Sequence, residues 1–326
     1  MKITFIVNSL YFSEISFRKK VLDQLSLLPN KGIDYLFTEE KGDSIYLTRK
    51  AIDSGSTLII GCGGDGTLHE ILNGCLTSER LDNNSVIIGQ FPAGTGNDFS
   101  RNFKLSKNPS NLSRRLHSLC LRKIDIGQLT LADGSSVYFH NEVSFGFGAE
   151  VIRKMEISKG DRKKSYFKSI IQAFNSYHST PVKITGDNFQ WEGKAFMIVV
   201  ANGRYMGGGL SIAPEASPFS GSFHITIIGE VSMWEYFTQL PYILQSKKLK
   251  HRSVYYFEAK ELEIHWRREI ESGKYGDIPM FWDYENRSGQ FASLVRPKEF
   301  RGTQQAPSLE SLGKDFSELR KQFGVP

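Results

Sequence analysis

The chain has 326 residues, 40% of them hydrophobic and 23% charged, with a formal net charge of +6; these proportions belong to a folded globular protein and exclude a disordered or collagen-like one. Single cores seldom grow past about 250–300 residues, so two are expected. Cys62, Cys75 and Cys120 show no disulfide or zinc spacing, which points to a reducing cytoplasm, and no apolar run, the longest being Ala195–Ala201, approaches the ~20 residues of a membrane span.

In chain order, Lys2–Asn8 reads as a first strand, too short for a signal peptide. Ser16–Leu28 places Phe17, Val21, Leu22, Leu25 and Leu28 on one helical face and is stopped by Pro29. Gly32–Phe37 is a second strand. Asp43 is expected to cap a helix running to about Ser54, with Gly55 just past its end. Thr57–Gly61 and Ser85–Phe91 are further strands. This alternation argues a parallel, doubly wound α/β sheet, in which ligands sit beyond the carboxyl ends of the strands. Asn8, Thr38, Asp65 and Pro92–Asp98 all fall at such ends.

Asn111–Leu121 reads as one more helix. Beyond Arg122 short strands dominate, among them Phe196–Val200, Phe223–Ile228, Val254–Phe257 and Leu262–Trp266, with turns at Asp133-Gly134, Gly186-Asp187 and Gly207-Gly208-Gly209. Two helices interrupt them. One carries the stripe Phe167, Ile170, Ile171, Phe174, Tyr177; the other, Trp234–Ser246, should break or kink at Pro241. The expected division is an α/β domain over 1–128 and a β-rich domain over 129–300, with a terminal helix at Pro307–Phe323 packing back on the first.

The densest signal is Ile59–Gly74. An apolar run meets Gly61, Gly63, Gly64 and Gly66, which allow a sharp turn with positive φ. Thr67 and Glu70 have capping-box spacing, and Leu68, Ile71, Leu72, Cys75 and Leu76 recur at helical intervals. A glycine turn opening a helix presents bare N–H groups to an anion. Asp65, in its middle, would repel a phosphate unless a cation stood between them, so the turn reads as a site for a nucleotide phosphate with Mg²⁺. Gly61, Gly63 and Gly66 also satisfy G-x-G-x-x-G, but here it follows a third strand, and the next strand ends without an acid for a ribose. No P-loop pattern occurs. The histidines show no metal spacing, and Cys62 has no histidine close enough in sequence to activate it as a nucleophile.

Gly63-Gly64-Asp65-Gly66-Thr67, followed by Phe91-Pro92-Ala93-Gly94-Thr95-Gly96-Asn97-Asp98-Phe99, resembles the diacylglycerol kinase catalytic family, which includes bacterial lipid kinases and sphingosine kinases. More distantly the turn is similar to that of NAD kinases and phosphofructokinases. Asn141–Val151, Ala201–Pro214 and Trp282-Asp283-Tyr284-Glu285 fall where the family has later motifs. The resemblance implies an ATP- and Mg²⁺-dependent lipid kinase with an N-terminal nucleotide domain, a C-terminal β-sandwich-like domain and an active site in the cleft between. It implies that Asn8, Thr38, Gly63, Gly64, Asp65, Gly66, Thr67, Gly94, Thr95, Gly96 and Asn97 hold ATP, and that Asp65, Asp98 and Asp125 organise the metal and its waters. Asp98, Asp125 and Glu285 would be catalytic, with Glu285 as the base toward the acceptor hydroxyl.

Three segments depart from the family pattern. Asn8-Ser9-Leu10-Tyr11-Phe12 replaces Asn-Pro-x-Ser-Gly, Tyr284 replaces a glycine, and Ser220-Gly221-Ser222-Phe223-His224 lacks the carboxylate of a structural cation site, which is therefore expected to be empty or weak. These departures keep open a non-catalytic nucleotide- or lipid-binding protein; an NAD-kinase-like enzyme with a soluble acceptor is the other alternative. Two basic groups, Arg153–Lys168 and Lys247–Arg252, suit peripheral contact with anionic headgroups. No nucleic-acid module is present. The partners expected are a lipid substrate and the membrane face, with room for a homodimer.

Overall fold

Four strands open the computed structural model, which describes residues 2–11, 32–78, 86–105, 108, 116, 121–157, 162–266, 268–269, 275–276, 278–282, 285–289 and 291–295. They are β1 (Ile3–Val7), β2 (Ile33–Phe37), β3 (Leu58–Gly63) and β4 (Ile87–Pro92), paired in parallel in the order β2-β1-β3-β4. Both faces are apolar because both are covered. Phe5 and Val7 of β1 join Leu58, Ile60 and Cys62 of β3 and Phe91 of β4 on one side. Ile6 and Ile59 face the other, against Ala51, Ile71 and Cys75 of two helices, α1 (Asp43–Asp53) and α2 (Asp65–Leu76). Gly74 lets these helices approach: a Cβ there would lie 2.7 Å from the Ile45 carbonyl oxygen of α1.

The caps differ from the local reading. Gly42, not Asp43, is the N-cap of α1, at φ 95°, and it makes no side-chain cap. Asp43 instead accepts from the Glu39 and Glu40 N–H groups. The start of α1 is capped from outside: Glu70 of α2 accepts from the Gly42 N–H at 3.0 Å and the Ser44 N–H at 3.3 Å. Glu70 is thus turned away from Thr67, and their capping box does not form. A carboxylate on a neighbouring helix reaches orphan donors that local spacing cannot see.

After α3 (Asp98–Arg101) the chain builds two antiparallel six-stranded sheets. The strands are β5 (Gly127–Leu131), β6 (Ser136–Phe139), β7 (Glu142–Gly146), β8 (Thr180–Gly186), β9 (Gln190–Ala195), β10 (Met197–Ala201), β11 (Phe223–Ile228), β12 (Val254–Ala259) and β13 (Glu261–Trp266). The small pair β14 (Arg268–Glu269) and β15 (Tyr275–Gly276) precedes β16 (Ile278–Trp282), β17 (Glu285–Gly289) and β18 (Phe291–Val295). The sheet orders are β12-β11-β10-β7-β16-β17 and β6-β5-β18-β13-β8-β9. Alternating residues of both sheets, among them Phe145, Val200 and Ile225 from one and Leu129, Ile184 and Ile264 from the other, fill the core between them. A parallel α/β layer followed by a β-rich domain is what the patterning predicts, and the sandwich form of the second is what the resemblance implies.

Three helices, α4 (Phe147–Ile157), α5 (Arg162–Ser176) and α6 (Met233–Leu244), share a second apolar cluster with β10. Ile170 and Tyr177 of the expected stripe are buried there, with Ala173. α6 runs through Pro241 to Leu244 and starts on a capping box of Ser232 and Glu235. The helices expected at Asn111–Leu121, save Leu116 and Leu121, at Ser16–Leu28 and at Pro307–Phe323 lie outside the described residues. Among the described residues, no helix is long and apolar enough to cross a membrane.

Candidate functional site

The strand order reverses direction between β1 and β3, so a crevice opens where their carboxyl ends part. Asn8 leaves β1 there, and its amide donates to the Thr67 hydroxyl oxygen across the crevice at 3.0 Å. Thr38, at the end of β2, is buried and accepts from the Ser9 N–H at 3.3 Å, so it shapes the turn after β1.

None of Gly61, Gly63, Gly64 and Gly66 has positive φ, contrary to the sequence expectation. Their role is close approach. A Cβ on Gly63 would collide with Thr67, and one on Gly94 with the Gly64 backbone. The two glycine motifs therefore touch backbone to backbone, with the Ala93 N–H bonded to the Gly63 carbonyl at 3.0 Å. Asn97 supplies the left-handed residue, at φ 51°, as asparagine can. Its side chain accepts from the Gly94 N–H and donates to the Gly94 carbonyl, closing the second turn on itself. Thr95 is exposed at the tip and Gly96 half-buried. Between the motifs the N-terminus of α2 has no side-chain cap.

Asp65 joins the two motifs. One oxygen accepts from the Asp98 N–H at 3.0 Å and the other from the Phe99 N–H at 3.1 Å, so Asp65 of α2 caps α3. Hydrogen bonds to a charged acceptor contribute roughly 1.5–3 kcal/mol each. Asp65→Ala is therefore expected to lower the unfolding free energy by about 2–3 kcal/mol, read as a lower urea midpoint with an unchanged slope. An unshifted midpoint would mean that Asp65 does not hold the second motif.

Asp98 is buried and reaches into the β-sandwich, where its Oδ2 accepts from the Gly208 N–H at 2.7 Å. Its Oδ1 is enclosed without a hydrogen bond and has Arg101 Nε at 3.2 Å. Burial, and then the neighbouring Asp65 charge, push Asp98 above the usual carboxylate range against the pull of the Gly208 N–H and Arg101. The Gly208 donor is aimed by a tight turn in which Gly207, Gly208 and Gly209 take φ of 56°, 91° and 111°, a run that side chains with a Cβ do not sustain. Arg101 bridges the Gly96 and Gly208 carbonyls at 3.2 and 3.3 Å.

Further contacts fix the same junction. Asn102 accepts from the Arg204 N–H at 3.1 Å, and Asn73 exchanges two hydrogen bonds with the Tyr138 backbone at 2.8 and 3.0 Å. Phe99 packs edge-on to His140, their ring centres 4.6 Å apart. Gly208, Arg101, Asn73 and Asn102 were not singled out from the sequence. The triple glycine was visible as a turn, but nothing local showed what it faces.

Asp125 is tied to the 217–221 loop and to Asn202. Its Oδ2 accepts from the Gly221 N–H at 2.8 Å, its own N–H donates to the Pro218 carbonyl at 2.7 Å, and its carbonyl accepts from Asn202 at 2.8 Å. Among the described residues no group of three His, Cys, Asp or Glu side chains could hold one metal ion. The structure thus brings Asp65 and Asp98 together and binds Asp125 to the 217–221 loop. Glu285 is placed by register: it opens β17 opposite Trp282, and Trp282 pairs in turn with Val143 of β7. Asp283 and Tyr284, which link the two strands, lie outside the described residues. Burial pushes the Cys62 and Cys75 thiols up to about 12, so neither forms a thiolate at neutral pH.

The donor set fits a hydrated divalent cation. Two carboxylates with lone pairs to spare suit Mg²⁺, which keeps several waters and takes one or two protein carboxylates. The uncapped helix start, with its free N–H groups, fits a phosphate group.

Two family models match this chain. The diacylglycerol kinase catalytic domain matches residues 3–129, and the YegS C-terminal NAD kinase beta sandwich-like domain matches residues 141–286. A "Probable lipid kinase YegS-like" of Klebsiella pneumoniae (strain 342) is 29% identical over 214 residues, 63% of this chain and 68% of that protein. One of the same description from Cronobacter sakazakii is 29% identical over 229 residues, 66% and 72% of the two chains. The crystal structure of "a putative diacylglycerol kinase" from Bacillus anthracis str. Sterne superposes with a TM-score of 0.69 at 25% identity, covering 90% of this chain and 94% of that one.

Proposed function

The chain belongs to the diacylglycerol kinase catalytic-domain family, with a YegS-type C-terminal domain, and on that premise we propose that it is an ATP- and Mg²⁺-dependent lipid kinase. It transfers the γ-phosphoryl group to a hydroxyl of a diacylglycerol-like acceptor. Residues 1–128 bind the nucleotide, residues 129–300 take the lipid, and the enzyme works in the cytoplasm at a membrane face.

The observation that carries this reading is the uncapped start of α2, where the two glycine motifs meet and the Asp65–Asp98 pair lies. Phosphoryl transfer asks the protein for positioning and charge stabilisation more than for covalent chemistry. The first turn of α2 offers backbone N–H groups to phosphate oxygens. Thr67 accepts from Asn8 and so keeps its own hydroxyl proton to donate. Asp65 and Asp98 would hold Mg²⁺, which would supply the positive charge that lets phosphates lie beside two carboxylates. Asp125 sets the loop bordering the sandwich, and Glu285 takes the proton of the acceptor hydroxyl.

The test offers γ-labelled ATP to the protein with diacylglycerol, a sphingoid base, phosphatidylglycerol and NAD, each with and without Mg²⁺. Label should enter the organic phase with one lipid and require the metal. Label on NAD alone would replace the lipid acceptor by a soluble one. Bound ATP with no product from any acceptor would reduce the protein to a nucleotide binder.

A further inference from the structure

α6 breaks the rule for helices on a protein surface, which ordinarily turn a polar face to water. Its twelve residues include one charged side chain, Glu235. That carboxylate is occupied by the Ser232 N–H and hydroxyl, each at 2.8 Å, and by His251 at 3.3 Å. The inner side of the helix is packed: Ile243 is buried, and Tyr236, Phe237 and Tyr242 rest on the cluster beneath. The outer side shows Trp234, 77% exposed, and Leu244, 63% exposed. Thr238 and Pro241 are exposed between them, so spacings of three and four residues make one uncharged stripe along the helix.

Immediately after this stripe the chain exposes Lys247, Lys248, Lys250 and Arg252. Lys248 pairs with Glu215 at 2.7 Å, and Lys247 donates to Gln245. Lys250 lies over the Tyr242 ring, and among the described residues neither it nor Arg252 has an ion pair. At ~18 Å a helix of this length is far too short to span a bilayer. An uncharged stripe with an exposed tryptophan and leucine, ending in clustered lysines, is the pattern of a helix lying in the interfacial plane.

We propose that α6 docks the protein on an anionic lipid bilayer. Trp234 and Leu244 enter the headgroup–acyl boundary while the 247–252 cluster meets lipid phosphates. Charge argues for this occupant over a second copy of the chain. A two-fold pairing sets the same patch against itself, which would place two basic clusters in one interface, with no acidic partner supplied, on molecules already at +6. The docking deepens the lipid-kinase reading by bringing the enzyme to its acceptor, and it leans on that reading only for its purpose.

The test is co-sedimentation of the full chain with vesicles of phosphatidylglycerol and phosphatidylcholine, and with phosphatidylcholine alone. The parent should bind the anionic vesicles and shift its tryptophan emission to the blue. Trp234→Phe should bind but lose most of that shift. Trp234→Glu with Leu244→Glu should partition at least ~10-fold more weakly, as should Lys250→Glu with Arg252→Glu on anionic vesicles alone. Phosphorylation of a short-chain, water-soluble acceptor should not change in either variant. Vesicle binding by a protein that phosphorylates nothing would sink the kinase reading and leave the docking intact. Activity on the short-chain acceptor, with vesicle binding absent or indifferent to these substitutions, would overturn the docking. So would light scattering that shows Trp234→Glu splitting a dimer while vesicle binding persists.

Discussion

Asp98→Ala is expected to lower kcat/KM on the preferred lipid by roughly 10²–10³-fold or more, the loss typical when one preorganised charge-stabilising group is removed. Asp98 lies where three things converge: the cap supplied by Asp65, the Gly208 N–H and the Arg101 guanidinium. Removing its carboxylate deletes half of the acidic pair and also leaves the Gly208 donor without its acceptor, a stability cost of about 1–3 kcal/mol. Thermal unfolding of the variant separates the two effects, because a folded, inactive protein places Asp98 in the chemistry. Unchanged turnover would remove it from the site.

The raised pKa of Asp98 adds a pH signature with a definite sign. Its folded-state value lies above its ordinary 3.8, so the folded state holds the proton more tightly than the unfolded one. The stability this contributes is complete below pH ~3.8 and is lost as pH rises through the folded value. Relative to the parent, Asp98→Asn should therefore gain stability between about pH 3 and pH 7. Paired urea titrations at the two ends of that range measure the difference. A constant difference would mean that burial and Asp65 do not raise the Asp98 pKa above its unfolded value.

Glu285→Gln is expected to lower kcat by ~10²–10⁴-fold with KM nearly unchanged, the usual contribution of a positioned general base. Glutamine keeps the shape and the hydrogen-bonding reach but accepts no proton. The register puts Glu285 at the end of the β16–β17 pair beside β7, whose first residue follows His140 and Asn141 at the junction with the second glycine motif. Near-normal turnover would assign proton removal elsewhere.

Much of the molecule was legible without coordinates, for reasons of periodicity. β1 and β3 are apolar at consecutive positions because both faces are buried, whereas β8 reads buried-exposed-buried because one face meets water. The second-cluster stripe on α5 was visible at 3.6-residue spacing. The glycine motifs were visible too, but the reason for the glycines in the first was not. Close approach of Gly64 to Gly94 replaces positive φ there, since the clash that excludes a Cβ comes from a turn thirty residues away in sequence.

The sequence by itself determined the class of the two layers, the strand ends at which a ligand belongs, and the residue types gathered there. Local forces suffice for these: a side chain's burial follows its own period, and a turn follows its own dihedral preferences. Only the tertiary structure decided which groups meet. It gave Glu70 to a neighbouring helix, turned Asp65 into the cap of α3, joined Asp98 to Gly208, and tied Asp125 to the 217–221 loop. Each is a hydrogen bond between residues far apart in the chain, and its partner is chosen by packing, which leaves no mark in local spacing.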